Sequence, residues 1–349
     1  MRKIILIAAA ILCLYGCGKK VSSSENEASR RYLNAWVEVQ KQKHPEYLWK
    51  KTEWGSWILE DEEGSGSAIT GFSDSMYVRV CYDQLLQDGT IKSTTYAKTA
   101  QQLGTYDETY YYGPSITYAK GLYAGLEEIL KGMKDGGRRK VLIPAWLCTY
   151  NRFDNAEDYL SQDSDDIGST FIYDLRLVEH FEYIDQWSAD SVGRYLSATY
   201  PKVFGKDPAK ATADSSGTFG FWYIREKAPS DDKELKDTTV YINYIGRLLD
   251  GRVFDTTIRD TAIRYGLSRD KTYSPVTVTF SDEGSKVTMG DSETSVIRGF
   301  SLTLSQTKAY EKGTGIFIPS LGYGYKGSGN TIPAYAPLRF DVELVAKPK

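Results

Sequence analysis

The 349-residue chain has room for two domains of ordinary size, with 41% hydrophobic residues, 26% charged residues and a net charge of −3. That balance belongs to a globular protein and gives no electrostatic reason to expect nucleic acid as a partner. His44 and His180 are the only histidines, which argues against a multi-histidine metal site or a histidine-centred triad, and the 27 tyrosines point to a strand-rich protein.

The chain opens with "MRKIILIAAAILCLYGC": a basic start at Arg2-Lys3, an apolar run, then small residues. It reads as a secretory signal, too short for a comfortable transmembrane helix. Leu14-Tyr15-Gly16-Cys17 resembles the lipobox of bacterial lipoproteins. The resemblance implies cleavage before Cys17, acylation of its thiol and new amine, and a mature protein tethered to a membrane of the cell envelope, periplasm-facing or in the outer membrane. A plain secretory signal with an incidental cysteine is the alternative. Cys13 leaves with the signal, and Cys81 and Cys148 remain. An oxidising compartment permits a bridge between them without establishing one.

Residues 18–31, "GKKVSSSENEASRR", are small, polar and charged and read as a flexible tether. Tyr32, Leu33, Trp36 and Val37 then recur at helical spacing until Pro45, which predicts a helix packed on a domain surface.

The main body reads as an internal duplication. The first copy passes from "MYVRVCYDQLL" through a turn at Asp88-Gly89 to "GLYAGLEEILKGMKDGGRRKVLIPAWL" and closes on "STFIYDLRLV". The second runs "TTVYINYIGRLLDG", "VIRGFSLTLSQTKAYEKGTGIFIPSLGYG" and "APLRFDVELV". Tyr82 pairs with Tyr244, Pro144 with Pro319, and Tyr173-Asp174 with Phe340-Asp341. Val78, Val80 and Tyr82 alternate with Arg79 and Cys81, as in a half-buried strand. Leu122, Leu126, Ile129, Leu130 and Met133 line one helix face, with Asp135-Gly136-Gly137 as a stop. The fold class expected is α+β. The division expected is a signal and lipobox at 1–17, a tether, helix and lead-in strand at 18–70, a first domain at 72–184, a linker with a short helix at 185–217 and a second domain at 218–349.

No nucleophile–base pair, metal-ligand cluster or phosphate loop stands out, and no cofactor or metal is expected. The glycine-rich "GSGSAI" and "GYGYKGSG" lack the strand-to-helix context and lysine of a phosphate site and read as turns.

"YIGRLLDGRVFDTT", "VIRGF", "IPSLGYG" and "NTIPAYAPLRFDVEL" make the second copy, from Thr238 to Lys347, resemble an FKBP-type peptidyl-prolyl isomerase domain with an enlarged segment between Thr257 and Val296. The resemblance implies two FKBP-like domains, each a twisted antiparallel half-barrel sheet wrapped around one short helix, plus N-terminal and linker helices. It implies isomerase chemistry at Asp255, Tyr323 and Tyr244 and an apolar substrate pocket at Phe254, Val296, Ile297, Phe300, Ile332 and Phe340, with Phe300 where the family usually has Trp. Catalysis of this kind needs no acid, base or nucleophile, only a site that binds the twisted amide better than the planar one.

In the first copy Tyr82 persists, while Ile91-Lys92 stands for Phe-Asp, Leu122-Tyr123 for Val-Ile, Thr149 for the carbonyl-binding Tyr and Tyr173 for the closing Phe. That predicts a folded but catalytically weak or silent domain, serving binding, spacing or homodimerisation. The expected partners are proline-containing polypeptide clients and, through Cys17, a membrane. The enlarged segment could hold unfolded clients or be a plain hairpin excursion. The rival to the enzyme is a non-enzymatic chaperone or interaction lipoprotein using FKBP-like folds as peptide-binding surfaces.

Overall fold

The computed structural model describes residues 25–162, 169–198, 217–227, 239–268, 271–280, 287–290, 296–307 and 312–348. The signal with Cys17, linker residues 199–216 and parts of the enlarged segment lie outside the described residues.

Helix α1 (Glu25–Lys43) starts inside the stretch expected to be tether. Its register is fixed from outside: the Asn26 amide, 4% exposed, donates to the carbonyls of Gln162 at 2.7 Å and Tyr159 at 3.4 Å. Leu33 and Val37, one turn apart, then bury into the first domain's core.

Two antiparallel sheets follow. The first holds β1 (Lys50–Lys51), β2 (Trp57–Glu62), β3 (Met76–Leu86), β4 (Ile91–Thr94), β5 (Ser115–Tyr118), β6 (Arg138–Ile143) and β7 (Phe171–Glu182), in the order β1-β2-β6-β7-β3-β4 with β5 also on β3. The second holds β8 (Phe221–Lys227), β9 (Thr239–Leu248), β10 (Val253–Thr256), β11 (Val276–Phe280), β12 (Val287–Met289), β13 (Lys312–Phe317) and β14 (Leu338–Val345), in the order β12-β11-β9-β14-β13-β8 with β10 on β9. Without β1 and β12 the two paths are the same, so the duplication read from the sequence is a duplication of topology. The enlarged segment contributes β11 and β12, a hairpin that extends the second sheet beyond β9.

Three short helices, α2 (Ala97–Leu103), α3 (Ala124–Leu130) and α4 (Ala156–Leu160), belong to the first domain. The face expected to run from Leu122 to Met133 is helical only within α3, because Gly132 at φ +79 breaks the chain. Met133 is still buried, and its carbonyl accepts from Ile69 N–H at 2.9 Å. Pro144 and Pro319 are also one step out of register. Pro144 caps a single 3-10 turn at Ala145–Leu147, whereas Pro319 is the first residue of the matching turn at Pro319–Leu321.

Helix α5 (Ile184–Ala198) closes the first sheet's chain and lies on the outer face of the second, where Val192 and Leu196 pack on Ile224 and Ile316. The Tyr195 hydroxyl there accepts from Arg339 at 2.9 Å, and Arg339 and Arg247 both pair with Asp341, which also accepts from Thr314. Buried charges on β14 are tolerated because each is paired and hydrogen-bonded. Helix α6 (Arg259–Arg264) follows the β10 hairpin, and the Tyr265 hydroxyl at its end accepts from Arg247 at 3.3 Å. The inner face carries α7 (Arg298–Gln306), whose Phe300 and Leu304 enter the core with Ile242, Phe340 and Val342. Cys81 and Cys148 are free thiols, so the permitted bridge is not made. Among the described residues no helix is long and apolar enough to cross a membrane.

Candidate functional site

β9 and β10 are joined by Asp250-Gly251, with Gly251 at φ +93. Val253 pairs with Arg247 and Asp255 with Gly246, so Phe254 is the extra residue of a bulge. The bulge re-aims the Phe254 ring across the sheet toward Gly246. A Cβ on Gly246 would stand 2.5 Å from that ring and 3.1 Å from Phe340.

Phe340, on β14, is the centre of a ring cluster. It stacks on Phe300 at 4.5 Å and on Phe317 at 5.8 Å, and meets Phe254 edge-on at 5.6 Å; Tyr244 lies 5.5 Å from Phe300. Phe300, Phe340, Tyr244 and Ile332 are all at most 5% exposed and make the floor. Phe254, Val296 and Ile297 pack on it half-buried, and Tyr323, 38% exposed, stands at the rim after the turn at Pro319–Leu321. The structure therefore brings together all nine residues singled out in the second copy.

One carboxylate adjoins the apolar floor. Asp255 Oδ2 accepts from the Tyr244 hydroxyl at 2.5 Å, and Oδ1 accepts from Thr256 N–H at 2.9 Å and the Lys271 ammonium at 3.0 Å. Burial and then the Asp255 charge push the Tyr244 phenol up, so it stays a donor. The same two causes raise Tyr323. Among the described residues the Tyr323 hydroxyl has no hydrogen-bond partner, so its donor is uncommitted. Among the described residues no group of three metal-ligating side chains forms.

Sequence reasoning missed Gly246, Phe317 and Lys271. An isolated glycine within a strand pattern is a signal of close approach, and Gly246 carried it. Nothing in the sequence pointed Lys271, sixteen residues beyond Asp255, at that carboxylate.

The first domain shares this frame. Thr95 N–H donates to Tyr82 O and Tyr82 N–H to Thr95 Oγ1, as Thr257 and Tyr244 do in the second. Leu85 faces Ile91 and Gln84 faces Ser93, as Arg247 faces Val253 and Gly246 faces Asp255. This register corrects the reading of Ile91-Lys92 as the counterpart of Phe-Asp: Lys92 stands at Phe254, and Ser93 stands at Asp255. Gln84 occupies the place of Gly246, and its amide donates to the Tyr173 hydroxyl at 2.7 Å. Tyr173 is the counterpart of Phe340, facing Gln84 as Phe340 faces Gly246. Tyr123 and Ile297 both cap their helices, and Leu126 takes the place of Phe300.

Residues 231–345 match the family model for FKBP-type peptidyl-prolyl cis-trans isomerase, a stretch that contains the whole site. A probable FKBP-type peptidyl-prolyl cis-trans isomerase of Haemophilus influenzae is 28% identical over 158 residues, 45% of this chain and 54% of that protein. The macrophage infectivity potentiator of Trypanosoma cruzi is 32% identical over 122 residues, 35% of this chain and 46% of that one. The match thus spans about half the length of each relative. Among solved structures, FkpA from Escherichia coli is similar at 26% identity over 47% of this chain and 62% of that one, with a TM-score of 0.29. The three FKBP domains of wheat FKBP73 align at 17% identity over 83% of this chain and 93% of that one, with a TM-score of 0.28. The C-terminal region carries an FKBP-type domain.

Proposed function

We propose that the chain is a lipid-anchored prolyl isomerase of the cell envelope, with the C-terminal domain catalytic and proline-containing polypeptides as clients. The observation that carries the activity is the Phe254–Phe300–Phe340 floor beside the Tyr244–Asp255 pair.

Turning a prolyl amide costs its C–N resonance, about 18–20 kcal/mol, and unassisted turnover takes roughly tens of seconds. The half-rotated amide separates less charge between O and N than the planar one. A dry, ring-lined cup therefore favours it over the planar, well-hydrated ground state. The proline ring sits on Phe300 and Phe340, and Phe254 forms one wall. Tyr323 donates to a substrate carbonyl and fixes the peptide. Asp255, held by Tyr244 and Thr256, presents its carboxylate to the twisted carbonyl carbon.

The first domain offers a lysine for the wall, a serine for the carboxylate and a side chain where the second has glycine. These changes support a silent domain. Its roles in spacing or homodimerisation, the anchor at Cys17 and the division at residues 72–184 and 218–349 are part of the same proposal.

The test is proline isomerisation by the detergent-solubilised full chain on a short proline peptide. Acceleration that falls about tenfold or more in Asp255→Ala supports the assignment. A wild type that suppresses client aggregation without accelerating isomerisation would overturn it.

A further inference from the structure

Loop 327–337 supplies Ile332 to the pocket floor and is folded on itself. Ser328 and Ile332 exchange N–H···O bonds at 2.8 and 3.1 Å, and Tyr335 N–H donates to Gly324 O at 2.9 Å. Tyr335 nevertheless holds φ +60, a left-handed backbone that an aromatic residue adopts only where its surroundings impose it.

The surroundings belong to the first domain. The Tyr335 ring meets Tyr77 of β3 edge-on at 5.2 Å. Tyr77 stacks on Phe181 of β7 at 5.9 Å, and Phe181 on Trp187 of α5 at 4.3 Å, so the contact rests on a column of rings anchored in two strands and a helix. A second hold lies on the loop's other side, where Tyr111 N–H donates to Asn330 O at 2.7 Å and the Tyr111 ring packs on the second domain's core. Arg252 reinforces it, its guanidinium over the Tyr111 ring at 5.8 Å and bonded to Tyr110 O. Between these holds is a cavity of about 300 Å³, bordered by Pro333, Ala334, Tyr335, Arg79, Tyr111 and Trp187. The loop is gripped at points on either side of a void rather than by continuous packing.

We infer that the first domain is a clamp for the second domain's pocket: Tyr77 and Tyr111 are positioning residues that hold loop 327–337, and with it Ile332, in the peptide-binding conformation. This rests on the isomerase reading of the pocket but not on the first domain having any activity. A loosened loop would leave the aromatic rings of the floor and Asp255 in place while withdrawing Ile332 from beside them. The loss would therefore fall on KM, with kcat retained.

The test uses the full chain, with two readouts: steady-state isomerisation of a proline peptide and amide hydrogen exchange at Ile332. Tyr335→Asn removes the ring while keeping a residue that tolerates the left-handed backbone. Tyr77→Ala removes the partner ring. Each should raise KM about fivefold or more and speed Ile332 exchange, and the double variant should be no worse than either single one. Tyr77→Phe, which keeps the ring and loses only the hydroxyl's bond to Tyr335, should recover most of both. Should Tyr77→Ala fail to fold, Tyr335→Asn carries the comparison, since it alters only the loop. Unchanged Ile332 exchange in Tyr335→Asn, or losses that simply add, would overturn the clamp. A wild type without isomerase activity would sink the isomerase reading instead, and the exchange data would still decide the clamp.

Discussion

Gly246 and Phe254 share one space in the β9–β10 hairpin: the ring lies where a side chain at 246 would begin, 2.5 Å from the position of its Cβ. Elsewhere in a strand, Gly→Ala stabilises by roughly 0.5–1 kcal/mol. Here the clash reverses the sign. Gly246→Ala should lower stability by about 1–3 kcal/mol through overpacking, and the displaced wall should raise KM. Denaturant unfolding and peptide kinetics check both effects; an alanine variant as stable and active as wild type would show that the ring moves freely.

Asp255 accepts three hydrogen bonds at the edge of a dry floor. Removing a charged partner costs about 1.5–3 kcal/mol, so Asp255→Ala should lower kcat/KM by roughly ten- to a hundredfold. If the first domain is silent, as proposed, no second site compensates. Residual activity above about a tenth of wild type would place the turnover elsewhere.

Tyr323 is expected to act on the bound peptide alone. Tyr323→Phe loses one neutral hydrogen bond, about 0.5–1.5 kcal/mol, and should cost a few-fold in kcat/KM while folding stability stays within about 0.5 kcal/mol, as for a surface change. A large stability loss would mean that its hydroxyl serves the fold.

The Tyr244 phenol is raised by burial and by Asp255, which fixes a direction for alkaline pH. Below the ordinary phenol range both the folded and unfolded chains keep the proton, and the stabilising bond to Asp255 is fully present. Above pH of about 10 the unfolded chain releases it while the folded chain holds it, so stability falls by up to about 1.4 kcal/mol per pH unit for this group. Chemical denaturation at pH 9 and 11 should show a shallower fall in Tyr244→Phe than in wild type. Equal slopes would contradict the assignment.

If Cys17 carries lipid, the full chain should partition into detergent and Cys17→Ser should not follow it. Partition of both forms into the aqueous phase would remove the anchor.

Much was legible because hairpin and helix signals are local. Asp250-Gly251 marked the turn, the spacing of Leu33 and Val37 marked α1, and four short motifs picked out nine residues that meet at one site. The off-by-one reading of Ile91-Lys92 has a physical origin. A bulge changes which residue points across a strand pair, and only the ladder of Gln84–Ser93 and Gly246–Asp255 pairs reveals it. The N-terminus of α1 was missed because Asn26 finds its partners at Tyr159 and Gln162, more than 130 positions away.

The sequence alone determined the duplication, the α+β class and the chemical make-up of the second pocket, because residue type and short-range spacing suffice for these. Only the tertiary structure decided that Gln84 fills the space Gly246 leaves open, that Lys271 reaches Asp255, and that Tyr77 and Tyr111 grip the loop bearing Ile332. Those relationships join residues distant along the chain, and which side chains share a space is set by packing rather than by pattern.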